Sequence, residues 1–286
     1  MLYFLYPSTL GRYLRDYQGE KSWALVTGSS DGIGKGIAHE LCLHGFNVVL
    51  HGRNAEKLSR VQASLLAEYP KVQVRKVIAD AGSFTASAID DIVANLQDIH
   101  LTVLVNNVGG TAALDVDVKT LEEHTAKEVD AVININLRFT TQLTRALLPT
   151  LQRNEPSLIM NIGSISEGGM PWLSVYSPTK AYVRAFSKAL GLELKANHHT
   201  VEVLGIQVGS VQSQQNHSDI SFFVPSSRVM AQSALARVGC GSANVTGYLP
   251  HELQRLFFSI TPDWVLDRIL IAGLKPIAES KSKKWR

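Results

Sequence analysis

The chain has 286 residues, enough for one large α/β domain, and its 45% apolar and 19% charged residues exclude a disordered or wholly solvated polypeptide. Lys plus Arg outnumber Asp plus Glu by 28 to 25, but the tail residues Lys281, Lys283, Lys284 and Arg286 carry that excess, which excludes nucleic acid as a partner class. Cys42 and Cys240 have no His or Cys neighbours at ligand spacing, so neither a disulfide scaffold nor a metal site is expected.

Met1 to Tyr6 reads MLYFLY and stops at Pro7 without a basic flank or a small-residue cleavage site, so it is not a secretory signal. It is either a stub that touches a membrane or a segment packed on the body. No run reaches the roughly 18 consecutive apolar residues of a bilayer span. From Lys21 onward, short apolar runs alternate with longer segments of helical period. The runs are Trp23 to Thr27, Asn47 to His51, Val72 to Ala79, Leu101 to Asn106, Ser157 to Ile162 and Val201 to Val208. Most are apolar at consecutive positions, the pattern of strands buried on both faces, which predicts a single doubly wound parallel sheet. Helices are expected over Gly34 to Gly45, Ala55 to Tyr69, Thr85 to Gln97, Lys119 to Arg153 and Tyr176 to Asn197, lying on both faces of the sheet. Ser210 to Gly247 breaks the rhythm and reads as a long excursion, a lid or specificity region. Leu249 to Leu274 is crowded with apolar residues but interrupted by Pro250, Arg255, Pro262, Asp263, Asp267 and Arg268. It predicts peripheral attachment to a membrane rather than a span. The expected division is a linker or membrane-contact stub over 1–20, a cofactor-binding and catalytic core over 21–214, a lid with apolar helices over 215–279 and a basic tail over 280–286.

The first strand runs into Thr27-Gly28-Ser29-Ser30-Asp31-Gly32-Ile33-Gly34 and then a helix. Glycines at a strand-to-helix turn let the backbone approach a pyrophosphate and leave that anion on the free N–H groups of the helix start. The Thr-Gly-x-x-x-Gly-x-Gly spacing resembles the short-chain dehydrogenase/reductase family, and four further motifs follow in that family's order: Asp80, Asn106-Asn107-Val108-Gly109, Ser164 and Tyr176-x-x-x-Lys180. The resemblance covers at least Lys21 to Ser213 and implies a Rossmann-type fold. It also implies an adenine contact from Asp80 and a catalytic tetrad of Asn136, Ser164, Tyr176 and Lys180, with Asn134 the alternative to Asn136. By the same resemblance Lys180 and Tyr176 contact the nicotinamide ribose, Asn107 shapes the cofactor loop, and Val211 and Ser213 flank the nicotinamide. Val208-Gly209 stands where the family has Pro-Gly.

The second strand ends at His51-Gly52-Arg53 with no carboxylate for a ribose hydroxyl. The Arg53 cation suits a 2′-phosphate, with Ser29 and Ser30 as further donors, so NADP is expected over NAD. Tyr176 and Lys180 are four apart on a helical pattern and share a face, where an ammonium is expected to lower the phenol's pKa toward the working range. Trp23 to Lys35, Leu5 to Leu10 and Thr246 to His251 are similar to the branch containing very-long-chain 3-oxoacyl-CoA reductases and 17β-hydroxysteroid dehydrogenases. This implies an NADPH-dependent reductase of a lipophilic ketone, with 3-oxoacyl-CoA first and a ketosteroid or polyketide-like ketone second. A non-catalytic NADP-sensing protein on the same fold is the alternative. Branch members have an N-terminal membrane segment before the Pro-Ser linker, and here that anchor is expected to be reduced or missing. Lysines third and fourth from the end match a dilysine retrieval signal. With the branch resemblance they point to the cytosolic face of the endoplasmic reticulum, a cytoplasmic location being the alternative. The sequence leaves the oligomeric state open, a homo-oligomer being one option.

Overall fold

Contiguous valine, isoleucine and leucine runs form strands with no solvent-facing side. Trp23–Thr27 (β3), Asn47–Gly52 (β4), Leu101–Asn106 (β6) and Ser157–Ile162 (β7) are buried at every position. A computed structural model describes residues 2–111, 118–214 and 216–283. Val74–Ile78 (β5), Val201–Gln207 (β8) and Asn244–Thr246 (β9) complete a seven-stranded sheet of order β5-β4-β3-β6-β7-β8-β9, parallel at every pairing. At the β5 edge Arg75, Lys76 and Ile78 turn toward solvent while Val74 and Val77 stay buried.

Each face has its own core. Ala24 and Val26 of β3 point into one with Gly32–Leu43 (α1), Ala55–Glu68 (α2) and Ser227–Leu235 (α7). Trp23 and Leu25 point into the other with Ala86–Ala94 (α3), Phe139–Arg153 (α5) and Tyr176–Ala196 (α6). The chain leaves β3 toward β4 and β5, then returns to the other side of β3 to form β6. That reversal puts a crevice beyond the carboxyl ends of β3 and β6, where sheets of this topology bind ligands.

Three expectations need correction. The predicted helix over Lys119 to Arg153 begins only at Ala126–Ile133 (α4), because Thr125 and Glu128 form a capping box there, and one π turn, Asn134–Arg138, separates α4 from α5. Ser210 to Gly247 is not one excursion. It contributes α7, whose Met230, Ala231, Ala234 and Leu235 are core, and the edge strand β9. α7 meets α1 so closely that a Cβ on Gly36 would lie 2.6 Å from the Ser227 carbonyl oxygen, which explains the glycine.

The stretch taken as an N-terminal linker is built into the body. Beyond a short hairpin of Asp16–Tyr17 (β1) with Glu20–Lys21 (β2), Tyr13 is fully buried and its hydroxyl pairs with Glu202, while Ser8 Oγ donates to the Leu235 carbonyl at 2.7 Å. The 3-10 turn Leu2–Leu5 divides the hydrophobic start between the two readings: Tyr3 packs on the core, and Leu2, Leu5 and Tyr6 face outward.

At the reversal point the buried Thr27 hydroxyl donates to the Val105 carbonyl (3.1 Å) and accepts from the amides of Asn107 (2.8 Å) and Val108 (3.0 Å). Thr27→Val keeps the shape but strands the Val108 amide and leaves the Asn107 amide only the Val105 carbonyl at 3.1 Å. It should lower the unfolding free energy by about 1–3 kcal/mol in chemical denaturation, and a loss below about 0.5 kcal/mol would show that the hydroxyl does not hold this seam.

Candidate active site

The crevice is a cleft of about 260 Å³ whose walls come from the ends of β3, β4, β6, β7 and β8. At one end lies the turn between β3 and α1. Gly28 has φ +65°, and a Cβ there would lie 2.9 Å from Val108 Cα. A Cβ on Gly34 would lie 2.4 Å from both the Gly28 carbonyl oxygen and Asn107 Nδ2. Gly34 therefore serves helix-to-strand packing, whereas Gly28, Gly32 and Ile33 line the cleft. Asp31 stands at the N-cap of α1 without capping it, since its carboxylate accepts from the Gln214 amide at 3.1 Å. The first-turn N–H groups thus have no side-chain cap, and backbone surface lies bare beside them. These two features fit a dinucleotide pyrophosphate.

The two serines of the turn part company. Ser30 lines the cleft with the exposed Arg53, as a 2′-phosphate site requires. Ser29 does not: it is fully buried and its hydroxyl donates to the His51 carbonyl at 3.3 Å, which corrects its assignment as a phosphate donor. Asp80 lines the cleft and also accepts from the Gly82 amide at 2.9 Å, so it caps its own turn at the cleft wall. Asn107 lines the cleft and ties down its floor, its Nδ2 donating to the carbonyls of Thr27 (2.9 Å) and Gly28 (3.3 Å).

At the other end Tyr176 and Lys180 line the wall; Val211 and Ser213 also line the cleft, with Ser213 against the glycine turn, where a Cβ on Gly32 would lie 3.3 Å from its Cβ. Ser164 Oγ accepts from Ser166 N (3.1 Å) and Ser166 Oγ (2.9 Å), and it lies near enough to the Tyr176 hydroxyl to act on its titration. Lys180 is buried, donates to the Ile162 carbonyl at 3.1 Å and sits 5.6 Å from the centre of the Tyr176 ring. Asn136, inside the π turn, clamps Gly110 from both sides: Oδ1 accepts from its amide and Nδ2 donates to its carbonyl, each at 2.8 Å. A Cβ on Gly109 would lie 2.7 Å from Asn136 Oδ1 and 3.2 Å from Lys180 Nζ, so these three converge. Asn134 instead donates to the Gly82 carbonyl at 3.2 Å, away from Lys180.

Burial dominates the titration of both reacting groups. It pushes the Tyr176 phenol up to about 12 against the opposing hydrogen bond from Ser164, and it pulls the Lys180 amine from 10.5 down to about 8. The expected lowering of the phenol by the ammonium does not appear among the causes of its shift, where burial raises the phenol and the Ser164 hydroxyl alone opposes it.

Several contributors were not anticipated. His51 lines the cleft with both ring nitrogens unpartnered, stacks 5.0 Å from Phe139, and is driven to about 4 by burial. A relay of buried amides and hydroxyls runs under the site: Asn106 Nδ2 donates to Thr144 Oγ1 (2.9 Å) and Asn161 Oδ1 (2.8 Å), and Asn161 Nδ2 donates to Ser187 Oγ (2.9 Å). It binds β6 and β7 to α6, the helix that carries Tyr176 and Lys180. Its one sequence signal is a polar residue inside each apolar strand.

The chain belongs to the short-chain dehydrogenase family, whose sequence profile matches residues 22–221. It is therefore an oxidoreductase with a fold that binds a nicotinamide cofactor. A very-long-chain 3-oxoacyl-CoA reductase of Caenorhabditis elegans is 34% identical over 251 residues, 87% of this chain and 78% of its own length. Another, of Anas platyrhynchos, is 34% identical over 273 residues, 93% and 84% of the two chains. Among solved structures a 7β-hydroxysteroid dehydrogenase matches with TM-score 0.76 at 17% identity, covering 87% of this chain and 96% of its own. A short-chain dehydrogenase of Sphingobium yanoikuyae in complex with NADPH gives 0.68 at 22%, covering 85% and 97%.

The lowered Lys180 pKa has a consequence for stability. Between about pH 8 and 10.5 the unfolded chain holds a proton that the folded protein has released, so stability from this group rises with pH across that window and its cost is greatest below it. Lys180→Met should raise the melting temperature at pH 7, with the gain shrinking as pH climbs to about 10.5. An equal gain at both ends would contradict a buried ammonium.

Proposed function

We propose that the protein is an NADPH-dependent reductase of lipophilic ketones, with 3-oxoacyl-CoA thioesters as the leading substrate class and ketosteroids or polyketide-like ketones second. The observation that carries this reading is the convergence of Tyr176, Lys180 and Ser164 at one end of a cleft whose other end holds the glycine turn and Arg53. When bound, the reduced nicotinamide supplies a hydride to the carbonyl carbon. Tyr176 Oη gives its proton to the carbonyl oxygen as charge develops there, leaving a secondary alcohol. A phenol held up near 12 is in the donor form at neutral pH. Ser164 orients the same oxygen. Lys180, with a pKa near 8, then stabilises the phenolate and restores its proton. Asn136 keeps Gly109 and Gly110 close enough for Lys180 to reach this position.

Two features support the choice of NADPH over NADH: Arg53 on the cleft wall and the lack of a carboxylate at the end of β4. Two relatives named for very-long-chain 3-oxoacyl-CoA reduction support the substrate class, as do exposed Ile220, Phe222 and Phe223 in the loop that follows Ser213. With 3-oxoacyl-CoA and small ketones as substrates, Tyr176→Phe should lower turnover at least 100-fold while NADPH affinity stays within about 3-fold. Arg53→Ala should weaken NADPH binding by about 10- to 100-fold and NADH binding hardly at all, from the loss of a charge-assisted contact worth about 1.5–3 kcal/mol. Equal losses for both cofactors would make Arg53 structural, and full activity in Tyr176→Phe would reject the proton donor.

The same reading places the protein at the cytosolic face of the reticulum membrane, held peripherally. Among the described residues no helix is long and apolar enough to cross a membrane. Leu249–Ile260 (α8) and Asp263–Lys283 (α9) nevertheless leave Leu253, Leu256, Phe257, Ile260, Trp264 and Ile271 exposed. Of the basic tail, residues 284–286 lie outside the described residues. Purified protein should float with phosphatidylcholine liposomes, and Phe257→Ser with Trp264→Ser should abolish flotation. Wild-type protein left wholly in the unbound fraction would count against attachment.

A further inference from the structure

α8 opens with Tyr248 at its N-cap and Pro250 in its first turn, which carries His251 into the body with no exposed surface. The Gly209 amide donates to His251 Nδ1 at 3.0 Å. Because that nitrogen accepts, the neutral ring carries its proton on Nε2, which faces the carbonyl oxygens of Ser210 (3.2 Å) and Phe223 (3.1 Å). The ring packs so close to Gly209 that a Cβ there would come within 2.7 Å of His251 Cδ2. One imidazole, from a helix about 30 to 40 residues further on, thus joins two neighbouring segments of the loop after β8. The first, after β8, carries Val211 and Ser213 into the cleft and is pinned beside Ser164 by the Ile165 amide donating to the Val208 carbonyl at 3.0 Å. The second is the tight turn in which Ser221 and Val224 exchange backbone hydrogen bonds at 3.0 and 3.1 Å and which exposes Phe222 and Phe223.

We propose that His251 is a positioning residue for the reaction: from behind the cleft it clamps the Val211–Ser213 wall to the apolar turn at 221–224. Binding of an apolar substrate against that turn is thereby coupled to the geometry of the reacting end. The coupling to an apolar substrate rests on the ketone-reductase reading above, whereas the clamp on the cleft wall does not.

The test uses His251→Phe, which keeps the ring and loses both sets of hydrogen bonds, and His251→Gln, which retains one acceptor and one donor. Fluorescence titration with NADPH, read without any ketone, should show about a 10-fold weaker affinity for the Phe variant and partial recovery for Gln. Turnover of a long-chain 3-oxoacyl-CoA should fall about 10- to 100-fold for Phe with a raised KM, again partly recovered by Gln. Folded His251→Phe with unchanged NADPH affinity, KM and turnover overturns the proposal. Equal impairment of Phe and Gln also overturns it, since hydrogen bonding would then not be what matters. Should the ketone assignment fail, the NADPH titration still decides the clamp. Should the variants not fold, the wild-type ring's ¹⁵N shifts decide: an Nε2–H tautomer supports the clamp, and an Nδ1–H tautomer rejects it.

Discussion

The Thr27 hydroxyl joins the two strands between which the cleft must open. Where β3 and β6 reach their carboxyl ends the chains diverge, the Val108 amide has no backbone partner, and the Asn107 amide has only the Val105 carbonyl of its own strand. A buried orphan amide costs about as much as several ordinary contacts contribute, so some side chain must supply an acceptor at that point. Thr27 Oγ1 takes both amides and spends its proton on Val105. Everything on the cofactor side follows from the separation it sets. Gly28 can pass Val108 only without a Cβ, and Asn107 can reach back to the carbonyls of Thr27 and Gly28 only at that spacing.

At the reacting end the governing quantity is desolvation. The same burial raises the phenol and lowers the amine, and it favours the uncharged form of each. The site is thereby set for donation: the tyrosine holds its proton, and the lysine gives one up more readily than a solvated amine. Such a pair works only if its helix cannot shift to let water in. The relay from Thr144 through Asn106 and Asn161 to Ser187 supplies that rigidity, since each link satisfies a buried group that would otherwise be orphaned.

How much of this was legible in the sequence differs by element for physical reasons. The bounds of β3, β6 and β7 coincide with the runs Trp23 to Thr27, Leu101 to Asn106 and Ser157 to Ile162, because a strand buried on both faces reads as a near-continuous apolar run that stops where the chain leaves the core. β9 has three residues and α7 nine, too short for periodicity to separate them from the Ser-, Gln- and Gly-rich stretch around them. The π turn at Asn136 is a change of hydrogen-bond register, to which composition is blind. The glycine turn was readable as a turn, but nothing in Ser29-Ser30 tells which hydroxyl faces the sheet; that depends on where the His51 carbonyl lies. His51 and His251 look alike as lone histidines. One is a neutral ring with no partner and the other a three-way tie, a distinction that arises only when distant segments meet.

α8 joins the two ends of the molecule's chemistry. Its first turn is fixed: Pro250, His251 and Glu252 are buried, and Glu252 pairs with Arg255 at 2.7 Å. Burial alone would raise the Glu252 carboxyl, yet the paired Arg255 guanidinium and neighbouring polar groups outweigh it and hold the group near 2, so it stays charged and paired throughout the neutral range. Beyond that turn Leu253, Leu256, Phe257 and Ile260 project outward with no core to cover. A helix that needed only to close the fold would bury such residues or replace them with polar ones. Here the anchored end reaches the loop that walls the reacting groups, and the free end presents apolar surface about two turns away. The apolar surface and the cleft wall are thus two ends of one rigid element.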